Sequence, residues 1–176
     1  PIAESLGVPT MVSYFSENLA EQIVSKHGRA KAIMANNVVA HIDDHHDLCR
    51  GIKKLLHPQG VWVIEAPYLV DMFENLTYDT IYHEHLSYLA VRPLIKLFDL
   101  FGLELFDVQV IPVQGRSLRL FVGHSLAHPV QPSVEQWINR ELELKMDHLE
   151  SYVALAKRVS RSKEQLLELL QTLKKQ

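Results

Sequence analysis

One cysteine, Cys49, stands in 176 residues, which excludes an intramolecular disulfide framework. No apolar run approaches the ~18 residues that a bilayer-spanning helix needs, and no charged and apolar leader opens the chain. An excess of one charge is missing as well: 18 Lys and Arg stand against 21 Asp and Glu, for a net charge of -3 and a pI near 6.4. Such a balance gives no electrostatic reason to expect nucleic acid or an anionic membrane surface as a partner. Repeats and low-complexity tracts are absent. These absences lead to the expectation of a soluble, cytoplasmic protein. An initiator Met is lacking too, and PIAESLGVPT reads as a helix in progress followed by a strand, so an internal fragment is expected.

What is present suffices for one core. Apolar residues make up 47% of the chain, enough for a single ordinary domain with an appendage. TMVSYF (10–15) and AKAIMANNVVAHI (30–42) carry short β-capable runs, and VWVIEAP (61–67) is a near-continuous apolar strand of the kind buried on both faces. Between them SENLAEQIVSKHG has Ser16 as N-cap and Gly28 as stop, and DDHHDLCRGIKKLLHPQG closes with Pro58 and Gly60. Strand alternating with helix at this spacing predicts a parallel sheet. The rhythm then changes. RPLIKLFDLFG (92–102) reads as an amphipathic helix, and LELFDVQVIPVQGRSLRLFVGH (103–124) as two strands whose short connection forces them antiparallel. From Ser133 onward the chain reads as charged packing or linker helices, with Ser162 and Gln165 as a capping box that restarts a second one.

Two clusters could carry chemistry. TIYHEHLSYL (80–89) gathers Tyr82, His83, Glu84, His85, Ser87 and Tyr88, and it reads as a catalytic cluster, a metal site or a polar turn. In an extended chain Tyr82 and Glu84 would face away from His83 and His85, so only a turn could gather them around one substrate. A histidine held by a carboxylate beside a phenol is a sensible general base. AHIDDHHD (40–47) follows an apolar strand, which puts Asn36, Asn37 and His41 where ligands of open α/β sheets bind, while Asp43 or Asp44 suits an N-cap. The histidine density leaves a metal-dependent hydrolase open, using His41, Asp43, His45 and His46 with His83 and His85. A non-catalytic module that pairs with a partner through 133–176 is the third reading.

Four blocks, ANNVVAHIDD, GVWVIEAPYLVDM, YDTIYHEHLSYL and VQGRSLRLFV, in this order and spacing, resemble the sugar C-methyltransferase family. Its members use S-adenosylmethionine to methylate a 4-keto-6-deoxy sugar nucleotide at C3. The resemblance implies an α/β fold: an incomplete class I methyltransferase (Rossmann-like) sheet that ends in an antiparallel hairpin and is followed by helices. Residues 1–125 would be the C-terminal portion of the methyltransferase domain, and 126–176 a helical linker leading to a missing C-terminal domain. The family's Tyr-x-Glu-His motif falls on Tyr82, Glu84 and His85, and its further active-site histidine on His41. His85 would be the base that removes the proton α to the ketone, with Tyr82, Glu84 and His41 positioning the sugar or stabilising the enolate. Cofactor contacts would come from Tyr14, Phe15 and Ser16 on the adenine side and from Ala35, Asn36 and Asn37 on the methionine side. No metal is implied here; zinc belongs to the family's N-terminal domain, which is missing. The implied partner is a small-molecule sugar nucleotide, with no nucleic acid and no membrane, and self-association through the terminal helices stays open. Two departures stand out. The family's Gly-rich loop and ribose-binding acid would precede Pro1, and QGRS (114–117) replaces its His-Gly-Gly-Ser turn.

Overall fold

The computed structural model describes residues 2–113 and 115–175. A short helix, α1 (Ile2–Ser5), is followed by α2 (Glu17–His27). Ser16 starts α2 as its sequence predicts: extended at φ -152 and ψ 167, it accepts the Leu19 N–H on its hydroxyl at 3.2 Å. Gly28, at φ +78, ends it. β1 (Ala30–Asn36) passes through a 3-10 turn (Val39–His41) to α3 (His45–Leu55), capped by the Asp44 carboxylate on the Asp47 N–H at 2.8 Å. Then come β2 (Leu56–Pro67), α4 (Leu69–Asn75), a second 3-10 turn (Tyr78–Thr80) and α5 (Val91–Asp99). β3 (Leu103–Ile111), β4 (Ser117–His124), α6 (Pro132–Glu143) and α7 (Leu149–Lys174) complete the order.

The four strands form one sheet in the order β1-β2-β4-β3. β1 and β2 are parallel, with α3 as the crossover, while β4 is antiparallel to both β2 and β3. A class I methyltransferase-like, Rossmann-like sheet ending in an antiparallel hairpin is therefore what the chain builds. One face of it is dry. Trp62, Ile64 and Ala66 of β2 and Leu118, Leu120 and Val122 of β4 pack with Leu48 and Ile52 of α3 and with Leu94 and Phe98 of α5. Each of the Leu, Ile, Val and Phe side chains among them contributes roughly 1.5–3 kcal/mol on burial. Trp62 meets Phe98 edge-on at 5.5 Å, and at the other end of this core Trp137 of α6 meets Tyr68 at 5.6 Å. Val134 of α6 and Met146, just past its end, are buried in the same cluster. Cys49 is buried here too, its thiol pushed up to about 12 by burial, so it is no nucleophile near neutrality.

Three expectations are corrected. Residues 10–15 form no strand; Val12 and Tyr14 are exposed, and a lone extended segment needs a neighbour to take its N–H and C=O groups. HPQG does not terminate α3 but lies inside β2, at a register shift between Ala30 and Ala32 of β1. Pro58 is tolerated at such an irregularity, and at Gly60 a Cβ would sit 2.9 Å from the Ala30 carbonyl oxygen. Ser162 starts no helix: α7 runs through it, and the break falls at Lys145, which adopts φ 51. Among the described residues no helix is long and apolar enough to cross a membrane.

Candidate active site

The stretch between α4 and α5 is a turn, as the grouping of its polar residues requires. It is tied to the 3-10 turn after β1 by two hydrogen bonds, from the Leu86 and Ser87 N–H groups to the Ala40 carbonyl at 2.9 and 3.2 Å. That tie brings His41 beside His85, ring centroids 5.0 Å apart. Tyr82 lies over His85 at 4.2 Å, and Tyr88 stands edge-on to it at 6.4 Å. His85 Nδ1 is 2.9 Å from the Thr80 carbonyl oxygen and Nε2 is 3.0 Å from the Tyr82 hydroxyl. A carbonyl has no proton to give, so Nδ1 carries the hydrogen. In the neutral ring Nε2 then holds the lone pair and accepts the phenol proton, which leaves a base already aimed and bonded at both nitrogens.

Glu84 is not gathered in. Its carboxylate is exposed and, among the described residues, reaches only His83 Nε2, at 4.0 Å. On the strand-end side, Asn36 is exposed and Ala35 half-buried. Asn37 takes the left-handed conformation at φ 53 and gives its N–H to the Glu65 carbonyl at 2.7 Å. Its Oδ1 is buried without a hydrogen-bond partner among the described residues. Phe15 is half-buried, close enough to α3 that a Cβ on Gly51 would lie 2.8 Å from its ring. The Ser16 hydroxyl is engaged as the α2 cap.

Sequence reasoning missed Glu65. Buried at the carboxyl end of β2, opposite Asn36 and Arg119 in the sheet, it accepts from Arg119 Nη2 at 3.0 Å and Nε at 3.3 Å. A lone carboxylate inside the apolar run VWVIEAP was its signal. Among the described residues no three His, Cys, Asp or Glu side chains are grouped as a metal ion would need, and His45 gives its Nε2 hydrogen to the Val39 carbonyl at 3.0 Å.

Comparisons with known proteins divide the chain in two. The family described as "Methyltransferase domain" matches residues 8–108, and the one described as "C-methyltransferase C-terminal domain" matches residues 112–176. The chain is 34% identical over 170 residues to C-methyltransferase NovU of Streptomyces niveus, a match covering 96% of this chain and 40% of NovU. The chain thus spans well under half the length of that relative. Among solved structures it is similar to the crystal structure of M1.HpyAVI at 12% identity and a TM-score of 0.35, over 64% of this chain and 54% of that one.

Proposed function

Because the chain belongs to the methyltransferase family, through a methyltransferase domain followed by a C-methyltransferase segment, we propose that it carries the catalytic turn of an S-adenosylmethionine-dependent C-methyltransferase. We propose further that the acceptor is C3 of a 4-keto-6-deoxy sugar nucleotide, as the resemblance of its sequence blocks implies. The carrying observation is His85, with Nδ1–H fixed on the Thr80 carbonyl and Nε2 facing the Tyr82 phenol. Residues 1–125 are assigned to the methyltransferase domain and 126–176 to its helical extension.

Carbon is a poor nucleophile until a proton leaves it. His85 Nε2 takes the proton α to the ketone, and the Tyr82 phenol, released from Nε2 as the substrate enters, donates to the oxygen on which charge develops. His41, 5.0 Å from His85, is the second donor to that oxygen. Glu84, exposed on the rim, holds sugar hydroxyls. S-adenosylmethionine, when bound, supplies an electrophilic methyl group. The Asn37 Oδ1, without a partner among the described residues, suits its amino group, with Ala35 and Asn36 beside it on the strand end and Phe15 and Ser16 at the start of α2.

The test is exchange of the C3 proton of a 4-keto sugar nucleotide with solvent deuterium. The wild-type protein is expected to exchange it and His85→Ala to slow exchange by about 10²–10⁴-fold, with S-adenosylhomocysteine still binding. Undiminished exchange in the variant removes His85 as the base.

A further inference from the structure

Three arginines from three elements converge on the C-terminal end of α4. Arg116, between β3 and β4, donates Nε to Asp71 at 2.8 Å and Nη2 to Glu74. Arg140 of α6 donates Nε to Glu74 at 2.8 Å and bonds it again through Nη2. Arg158 of α7 donates to the carbonyls of Phe73 and Glu74, which the end of a helix leaves open. Asp71 is buried, and Gly115, at φ +88, sits so close that a Cβ there would lie 2.9 Å from its Oδ2. Burial alone would raise the Asp71 carboxyl; the Arg116, Asn75 and Thr77 hydrogen bonds hold it below the usual carboxylate range instead. Glu74 is lowered in the same way, against its own burial, by Arg116 and Arg140.

This junction leads directly into the catalytic turn. Asp71 accepts from Asn75 Nδ2 at 2.5 Å, and the Thr77 side chain lies beside it at Gly115, where a Cβ would be 2.9 Å from Asp71 Oδ2 and 3.9 Å from Thr77 Cγ2, while Leu76 turns the backbone out of α4 at φ 59. The Thr77 carbonyl accepts the Thr80 hydroxyl at 2.8 Å, and the Thr80 carbonyl accepts the His85 Nδ1 hydrogen at 2.9 Å. We propose that Arg116 is a positioning residue for His85, holding it through Asp71, Thr77 and Thr80 in the tautomer that leaves Nε2 free to act as a base. The assignment rests on the reading of His85 as that base. Arg116 suits the task because its planar fork bridges two carboxylates at once, one on each side of the turn of α4 that precedes Asn75.

The experiment pairs ¹⁵N spectra of the His85 imidazole with kinetics. Wild-type protein should show Nδ1 protonated and Nε2 bare; Arg116→Gln should show mixed tautomers and a kcat lowered by up to about 100-fold with KM nearly unchanged. Arg116→Lys, which keeps the charge but not the fork, should recover the tautomer only in part. A folded Arg116→Gln protein with the wild-type tautomer and kcat overturns the proposal. If that variant does not fold, Arg116→Lys decides by the same spectrum, an unchanged tautomer overturning the assignment and a mixed one supporting it. Absence of C3 exchange in the wild-type protein would instead count against the base reading, while the spectra still judge Arg116.

Discussion

At the scale of the residue, it is backbone that aims the side chains of the candidate site: the Thr80 carbonyl fixes His85 Nδ1 at 2.9 Å. Tyr82, His85 and His41 stand out in the sequence because phenol and imidazole together suggest proton transfer. The Thr80 carbonyl, which decides which nitrogen of His85 holds the lone pair, has no letter of its own. Glu84 reads as part of the cluster from spacing alone, yet the turn carries it outward, since one residue of rotation in a turn separates neighbours. Asp71 gives the residue-scale prediction. Its folded pKa, like that of Glu74, lies below the unfolded one, so the stabilisation is present above the unfolded values of about 3.9 and 4.3 and is lost as pH falls through the lower folded values. Circular-dichroism melts should therefore be flat above about pH 5 and drop below about pH 4. Arg116→Gln should shrink that drop; an equally steep fall in the variant would remove Arg116 as the cause.

Among the elements, helices were easier to read than strands. Ser16 and Gly28 frame α2 by local chemistry that any fold would respect, and Asp44 does the same for the start of α3. Residues 10–15 carry the letters of a strand, but pairing is a property of neighbours and not of letters. HPQG carries the letters of a helix stop, and its place in β2 follows from the close approach of Gly60 to the β1 backbone, a non-local fact. The start of α5 is the clearest long-range case. Neither Ala90 nor its neighbours cap it; Glu141, on α6 and 1% exposed, accepts from the Val91 and Arg92 N–H groups at 2.5 and 3.0 Å and from the Tyr68 hydroxyl at 3.0 Å. Glu141→Ala would leave buried donors unpaired and should cost about 1–3 kcal/mol in denaturant unfolding. A variant as stable as the parent would show that water or another side chain replaces the cap.

For the whole molecule, the mixed sheet was readable because period-2 and period-3.6 patterns alternate and a short connection forces a hairpin. How α6 relates to it was not, since an amphipathic pattern marks a helix face without naming the surface that face meets, here through Val134, Glu141 and Met146. The two tryptophans report on this relation from opposite ends of the core. Trp62 is wholly enclosed against Phe98 within the sheet and α5, whereas Trp137 is half-buried where α6 meets Tyr68. Their emission should differ in colour, bluer for Trp62 and redder for Trp137. Because α6 supplies the α5 cap, both signals are expected to change at one midpoint in the wild type, and Trp62 alone at that same midpoint in Trp137→Phe. Two separated midpoints would mean that α6 peels away first, and the protein's own fluorescence would then report, without any added label, how firmly α6 is held to the sheet and α5.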